Sequence, residues 1–289
     1  MAVSRRPAFS IEGTTRVVGI FGDPVDHSLS PRMHNAAFAE LGLDYVYVPL
    51  RTSRQHIGRA VRAIRELGLA GVNVTIPFKQ DVVRYLDRVS PTAQSVGAVN
   101  TIYVDGETLV GENTDVPGFV AALSSGGVRC RGKRVLLIGA GGAARAVVHA
   151  LLSGGAADVV VANRTRANAN RICRAFPGHR AKVQAADLEI LDDFDFLESR
   201  QLVVNATSVG LTGGKFLDYD VEATPQDCLH FDLAYGAKST AFLDMAHSAG
   251  RPTIDGRAML LHQGAIAFKL FTGRRAPVDV MARAIGITT

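Results

Sequence analysis

Arg134-Val135-Leu136-Leu137-Ile138-Gly139-Ala140-Gly141-Gly142-Ala143-Ala144-Arg145-Ala146 carries the strongest signal of architecture in the sequence. A short apolar run meets a glycine-rich turn, and an alanine-rich segment of helical composition follows directly. The turn fits G-x-G-x-x-A in the strand-turn-helix context that gives such a match weight. Gly139 permits the tight turn. Gly141 lets a pyrophosphate approach the backbone, whose unpaired N–H groups at a helix start carry partial positive charge. A glycine-rich turn that merely packs strand against helix is the plainer alternative.

Downstream of this turn, strands are expected at 158–162, 201–205 and 229–232, each followed by a turn or a helix. Upstream, the Gly126-Gly127 break separates this series from an earlier one. There, strands at 17–21, 45–50 and 71–76 alternate with helices opening at Pro31 and closing near Gly42, at 54–67 and near 82–86. Two further strands, 99–104 and 108–111, flank Asp105-Gly106, a two-residue turn that favours a hairpin. The last helical stretches, 259–271 and 278–285, have no strand of their own and are expected to pack back on the first domain. The fold class is therefore α/β with two domains. An N-terminal α/β substrate domain with a mostly parallel sheet spans 1–114, a Rossmann-like dinucleotide domain spans 115–255, and C-terminal helices returning to the first domain span 256–289.

The acidic ribose clamp expected about twenty residues beyond the glycine turn is missing, and Asn163-Arg164-Thr165 stands there instead. A carboxylate would repel a 2′-phosphate, whereas guanidinium and hydroxyl donors hold it through charge-assisted bonds. The pattern predicts NADP rather than NAD, with a solvated helix-start arginine as the bland alternative for Arg164.

Composition limits the remaining choices. The chain has 289 residues, 47% of them hydrophobic, and 32 basic against 27 acidic side chains leave a formal charge of +5. That surplus is spread without a run of five like charges, which suits anionic small molecules and not a nucleic-acid partner. No apolar run approaches the roughly 20 residues of a membrane helix. Ser4-Arg5-Arg6 resembles the start of a twin-arginine signal, but no apolar region follows it before Glu12. Cys130, Cys173 and Cys228 are odd in number, widely separated and without a C-x-x-C pair, so no metal site is expected and a reducing cytoplasm fits.

Four polar clusters sit where strands should end, which is where open α/β sheets place ligands. They are His27-Ser28-Leu29-Ser30-Pro31, Asn73-Val74-Thr75-Ile76-Pro77-Phe78-Lys79, Gly97-Ala98-Val99-Asn100-Thr101 and Gly111-Glu112-Asn113-Thr114-Asp115. Each alone is compatible with helix capping or turn chemistry. A lysine beside a carboxylate in apolar surroundings, however, is what general acid/base lysines use.

Taken together and in order, H-S-x-S-P, N-V-T-x-P-x-K, G-A-V-N-T, N-T-D, G-A-G-G-A-A-R-A, N-R-T, N-A-T-S-x-G and a final Q-G-A resemble the shikimate dehydrogenase family from near residue 17 to near residue 281. The resemblance implies reversible reduction of the C3 ketone of 3-dehydroshikimate by NADPH, in the route through chorismate to aromatic amino acids. It implies Lys79 as catalytic acid/base with Asp115 as its carboxylate partner. By the same match Ser28 and Ser30 bind the substrate carboxylate, Thr75, Asn100, Asp115 and Gln263 hold ring hydroxyls, and Asn73 and Tyr235 are further contacts. Gly139, Ala140, Gly141, Gly142 and Ala143 cradle pyrophosphate, and Asn163, Arg164 and Thr165 read the 2′-phosphate. Thr207, Ser208, Leu233, Gly256 and Met259 line the nicotinamide side. Thr207-Ser208 also fits a plain polar turn, and Met259 an adaptable core methionine.

The chain departs from the family pattern in three places. Gly236-Ala237 follows Tyr235 where Asn-Pro or a related pair is usual, and Arg257-Ala258 replaces the usual Leu-Gly before Met259. Asn168 stands where many members carry an arginine, with Arg166 as its candidate substitute. Three alternatives compete with the family expectation: a relative using quinate and NAD, a glutamyl-tRNA reductase and a catalytically silent NADP-binding sensor. The first tends to place an aspartate near the ribose. The second requires a nucleophilic cysteine in the first half of the chain, where none stands before Gly127. Retention of both Lys79 and Asp115 argues against the third. Monomer and homodimer are both compatible with the sequence.

Overall fold

The computed structural model describes residues 11–287 apart from 180–181, 211–213 and 237, so Ser4-Arg5-Arg6 and Ala237 lie outside the described residues. In the first lobe the order is β1 (Arg16–Gly22), α1 (Ser30–Glu40), β2 (Tyr45–Arg51), α2 (Ile57–Glu66), β3 (Gly71–Val74), β4 (Arg88–Val89), α3 (Pro91–Val96), β5 (Thr101–Asp105) and β6 (Thr108–Glu112). Helix α4 (Asp115–Ser125) leads into β7 (Arg134–Ile138), α5 (Gly142–Ser153), β8 (Asp158–Ala162), α6 (Arg166–Ala175) and β9 (Val183–Ala186). Then come α7 (Phe194–Glu198), β10 (Leu202–Asn205), β11 (Leu229–Asp232), α8 (Ala241–Ser248), β12 (Thr253–Ile254), α9 (Gly256–Thr272) and α10 (Val278–Ala284).

The described strands form two six-stranded sheets. The first runs β2-β1-β3-β5-β6-β4, parallel except where β5 pairs with β3 and β6. The second runs β12-β11-β10-β7-β8-β9 and is parallel throughout, the doubly wound order of a dinucleotide fold. Its central strand β7 is apolar from Val135 to Ile138 because helices cover both faces of the sheet, and all four residues are fully buried. Phe119 of α4, Val147 and Leu151 of α5 and Met259 of α9 pack on one face; Phe242 and Leu243 of α8 pack on the other.

Helices α9 and α10 return to the first lobe as expected. Leu260, Phe268, Phe271 and Met281 join Val18, Met33, Phe38 and Tyr45 in one core. The other face of that sheet is closed by Ile57, Val61 and Ile64 of α2 against Val72, Val74 and Ile102.

Several boundaries differ from the sequence-based expectations. Residues 54–56 form a turn, and α2 begins only at Ile57. Strand β3 stops at Val74, two residues early; Thr75 and Ile76 line the cleft, and Thr75 N–H still donates to Phe21 O at 2.8 Å. The helix expected near 82–86 is a single 3-10 turn, Val83–Tyr85. Helix α3, started by Pro91 and capped by Ser90 Oγ on Ala93 N–H at 3.1 Å, is an addition to the expected elements. In the hairpin, Asp105 pairs with Thr108, so the turn residues are Gly106 and Glu107, one position later than expected.

Candidate active site

Lys79 follows the end of β3 on a short turn anchored by Phe78, whose side chain is fully buried and whose N–H bonds Thr75 O at 3.0 Å. Asp115 is the first residue of α4, where a carboxylate complements the positive end of the helix dipole. Although 36 residues separate them, Lys79 Nζ donates to Asp115 Oδ2 at 2.6 Å, with side-chain exposures of 13% and 6%. Asp115 Oδ1 accepts from Asn100 Nδ2 at 2.8 Å. An ion pair this buried persists only because both charges are satisfied.

Asn100 is the junction of the network. Its Oδ1 accepts from Thr114 N–H at 2.7 Å, and its Nδ2 also reaches Thr114 Oγ1 at 2.9 Å and Gln263 Oε1 at 3.3 Å. Gln263, on α9, is steered by its own Nε2 donating to Leu260 O at 3.0 Å. Asn73 donates to Asn100 O and Thr101 Oγ1, while its Oδ1 accepts from Tyr47 Oη at 2.8 Å. Burial raises Tyr47 well above the ordinary phenol value, so it stays a donor. Tyr47, Thr101 and Thr114 are site residues that the sequence does not single out individually. The signal for the threonines lies inside N-T and N-T-D; Tyr47 joins Asn73 across sheet neighbours and leaves no local spacing to find.

These groups surround a cavity of about 190 Å³ lined by Ser30, Asn73, Thr75, Lys79, Asn100, Asp115, Tyr235 and Gln263 from the expected substrate set. Of the expected cofactor set, Ala143 and Leu233 line it from the other lobe, and Gly256 and Met259 line it from the start of α9. Ser28 stands just outside this lining, half-buried, its Oγ accepting from Ser30 N–H at 3.3 Å. Tyr235 packs against the first-lobe core, and burial pushes its phenol up.

The glycine turn fits a pyrophosphate. Gly139 has φ +107°, and a Cβ there would lie 2.9 Å from Thr207 Cγ2 and 3.0 Å from Ala206 C, so only glycine lets the turn close. A Cβ on Gly141 would meet nothing within 4 Å, leaving an open cradle at the start of α5. Beyond it, at the end of β8, Arg164 and Thr165 are exposed, and Asn163 Nδ2 holds Thr165 O at 2.9 Å. None of these three lines the catalytic cavity, the separation expected between the two ends of a dinucleotide. Arg166, the candidate substitute for the missing arginine, is instead ion-paired with Asp187, and Asn168 accepts from Arg171.

Thr207 and Ser208 do not line the cavity. Ser208 is exposed, and Thr207 Oγ1 donates to Asn205 Oδ1 at 2.8 Å, the polar-turn arrangement. Asn205 in turn donates to the fully buried Asp232, which also accepts from Ala234 N–H and Thr240 Oγ1. Burial pushes the Asp232 carboxyl up to about 6. This pair fixes the two loops that follow β10 and β11, including Leu233. Arg257, in the second departure from the pattern, folds back on Asp255 at 2.9 Å and leaves the cavity lining to Gly256 and Met259.

Residues 20–102 match the family described as Shikimate dehydrogenase substrate binding domain, 121–234 Shikimate / quinate 5-dehydrogenase, and 256–285 Shikimate 5'-dehydrogenase C-terminal domain. The Shikimate dehydrogenase (NADP(+)) of Carboxydothermus hydrogenoformans is 40% identical over 280 residues, covering 96% of this chain and 99% of that protein. Among solved structures, shikimate 5-dehydrogenase from Thermus thermophilus in complex with NADP(H) and shikimate superposes with a TM-score of 0.83. It is 36% identical and covers 94% of this chain and 98% of its own. Quinate dehydrogenase from Corynebacterium glutamicum in complex with NAD is 31% identical with a TM-score of 0.85, covering 93% and 98%. With three family segments matched in order and 40% identity sustained over nearly its whole length, this chain belongs to the shikimate dehydrogenase family.

Proposed function

We propose that this protein catalyses the reversible NADPH-dependent reduction of the C3 ketone of 3-dehydroshikimate to shikimate, in the cytoplasm, as a step toward aromatic amino acids. The observation that carries it is the buried Lys79–Asp115 pair, 2.6 Å apart in a cavity that Leu233 of the cofactor lobe and Gly256 and Met259 at the start of α9 also line. In this reading residues 1–114 bind substrate, 115–255 bind the dinucleotide, and 256–289 return to the first domain and bring Gln263.

Gly139 to Ala143 and the Asn163-Arg164-Thr165 group would hold NADPH, which when bound supplies hydride. As negative charge grows on the ketone oxygen, Lys79 Nζ stabilises it and delivers the proton, a contribution of about 10²- to 10⁴-fold. Asp115 keeps the ammonium in place through Oδ2 and, as a carboxylate, accepts a hydrogen bond from a substrate hydroxyl. In the reverse direction Lys79 takes the hydroxyl proton back. Ser28 and Ser30 bind the substrate carboxylate; Thr75, Asn100 and Gln263 hold ring hydroxyls, with Asn73 and Tyr235 beside them. Ile20, Val74 and Leu260 add apolar surface to the lining.

Arg164, with no acidic neighbour in Asn163-Arg164-Thr165, favours the shikimate and NADP choice over quinate and NAD. The test offers purified protein shikimate and quinate separately, each with NADP⁺ and NAD⁺, and follows the absorbance of reduced nicotinamide. Turnover is expected with shikimate and NADP⁺; activity only with quinate and NAD⁺ would overturn the assignment.

A further inference from the structure

The arginine of G-A-G-G-A-A-R-A is not used by the chemistry above, yet its side chain leaves the dinucleotide lobe. Arg145 stands in the first turn of α5, and its Nε donates to Val96 O at 2.7 Å, the carbonyl at the end of α3 in the other lobe. It is half-buried, burial depresses its guanidinium below the usual value, and it joins none of the ion pairs among the described residues. A carbonyl at a helix C-terminus offers partial negative charge to such a cation. Gly97 makes room for it: the residue has φ +68°, and a Cβ there would lie 2.7 Å from Arg145 Nη2. Beside this contact Val96 and Ala98 pack on Ala146, sealing the joint with apolar surface.

The segment that Arg145 grips runs directly into the catalytic scaffold. Ala98 O accepts from Asn113 Nδ2 at 2.9 Å, Val99 N–H donates to Lys79 O at 2.7 Å, and Asn100 holds Asp115. On the other side of the joint Gly142, three residues before Arg145, faces Lys79, whose Cβ would be 3.5 Å from an added Cβ.

We infer that Arg145 is a positioning residue that clamps the pyrophosphate-binding helix to the 96–100 segment, setting the catalytic pair at its working distance from the nicotinamide. The inference rests on the proposed dehydrogenase reading. A guanidinium suits the task because it stays charged, holds its donors in a rigid plane, and here carries a charge that no carboxylate neutralises. Loosening it leaves both binding sites chemically whole and changes only their relation. Misplacement of reacting groups by about 1 Å costs on the order of 10²-fold in rate.

The test compares wild type with Arg145→Met, which keeps the apolar stem, and with Arg145→Lys should the first not fold. Three quantities are read: kcat with shikimate and NADP⁺, the Kd of NADP⁺ and of shikimate each bound alone, and amide hydrogen exchange of Val99 and Asn100. The expected result is a kcat at least tenfold lower, each single-ligand Kd within about threefold, and exchange at both amides at least tenfold faster. An unchanged kcat, a loss accounted for by either Kd, or unchanged exchange would each overturn the clamp. If wild type itself does not turn over shikimate, the dehydrogenase reading has failed; the clamp is then judged on exchange alone, where acceleration supports it and no change refutes it.

Discussion

Replacing Lys79 by methionine separates two consequences of the ion pair that geometry ties together. The ammonium is the only positively charged group that the described residues contribute to the cavity lining, and it stands 2.6 Å from a carboxylate whose side chain is 6% exposed. Loss of a general acid lowers kcat by about 10²- to 10⁴-fold, equivalent to roughly 3 to 5 kcal/mol in the barrier. The same change leaves Asp115 buried with the Asn100 Nδ2 bond and no cation. Removing one partner of a buried pair costs about 3 kcal/mol or more of stability, whereas removing both is close to neutral. Lys79→Met should therefore unfold at clearly lower urea than wild type, and Lys79→Met/Asp115→Asn should recover most of that loss while staying inactive. The assays are initial rates with shikimate and NADP⁺ and equilibrium urea unfolding followed by circular dichroism. A single variant that keeps kcat within threefold of wild type, or that is as stable as the double variant, would strip Lys79 of the role given to it.

Ser30→Ala and Ser28→Ala should each raise the KM for shikimate about tenfold, from roughly 1.5 kcal/mol for a hydrogen bond to a charged group, with kcat within threefold; unchanged KM in both removes the carboxylate-binding role. Arg164→Ala should raise the KM for NADP⁺ about tenfold and leave that for NAD⁺ unaltered; equal KM values for NADP⁺ in variant and wild type would place the 2′-phosphate elsewhere. His34 is fully buried, stacked 4.6 Å from the Tyr47 ring, with neither ring nitrogen hydrogen-bonded among the described residues. Burial lowers its pKa from 6.5 to about 3, so below pH 6.5 the unfolded chain binds a proton that the folded chain refuses. Stability is complete above 6.5 and falls on acidification toward 3, by ~2 kcal/mol between pH 7 and pH 5. His34→Leu should flatten that part of the pH profile in urea unfolding, and an undiminished slope would assign it to other groups.

The architecture is legible where local chemistry and long-range packing agree. Strand β7, its glycine turn and α5 can be read directly because an apolar run, a turn that needs Gly139 and an alanine-rich helix are all local signals. Strands β4, β9 and β12 escape because two to four residues carry no usable alternation and their pairing is supplied by neighbours already in the sheet. The hairpin is found but shifted by one residue, since register is fixed by cross-strand pairing and not by the Asp-Gly dipeptide. Within the site, Lys79 and Asp115 come from family resemblance, not from spacing, and their meeting depends on folding across 36 residues. Asn205 and Asp232 are joined across 27 residues, and Arg145 reaches Val96 across 49; such partners become visible only once the sheets are assembled.

The return of α9 and α10 to the first lobe sets an order on manufacture. Val18, Met33, Phe38 and Tyr45 leave the ribosome well before their cover of Leu260, Phe268, Phe271 and Met281. The lobe begun first is thus finished last, after the second sheet has had all of its strands. Until then a nascent chain exposes a broad oily face, and a chain that stops short of Gly256 never closes it.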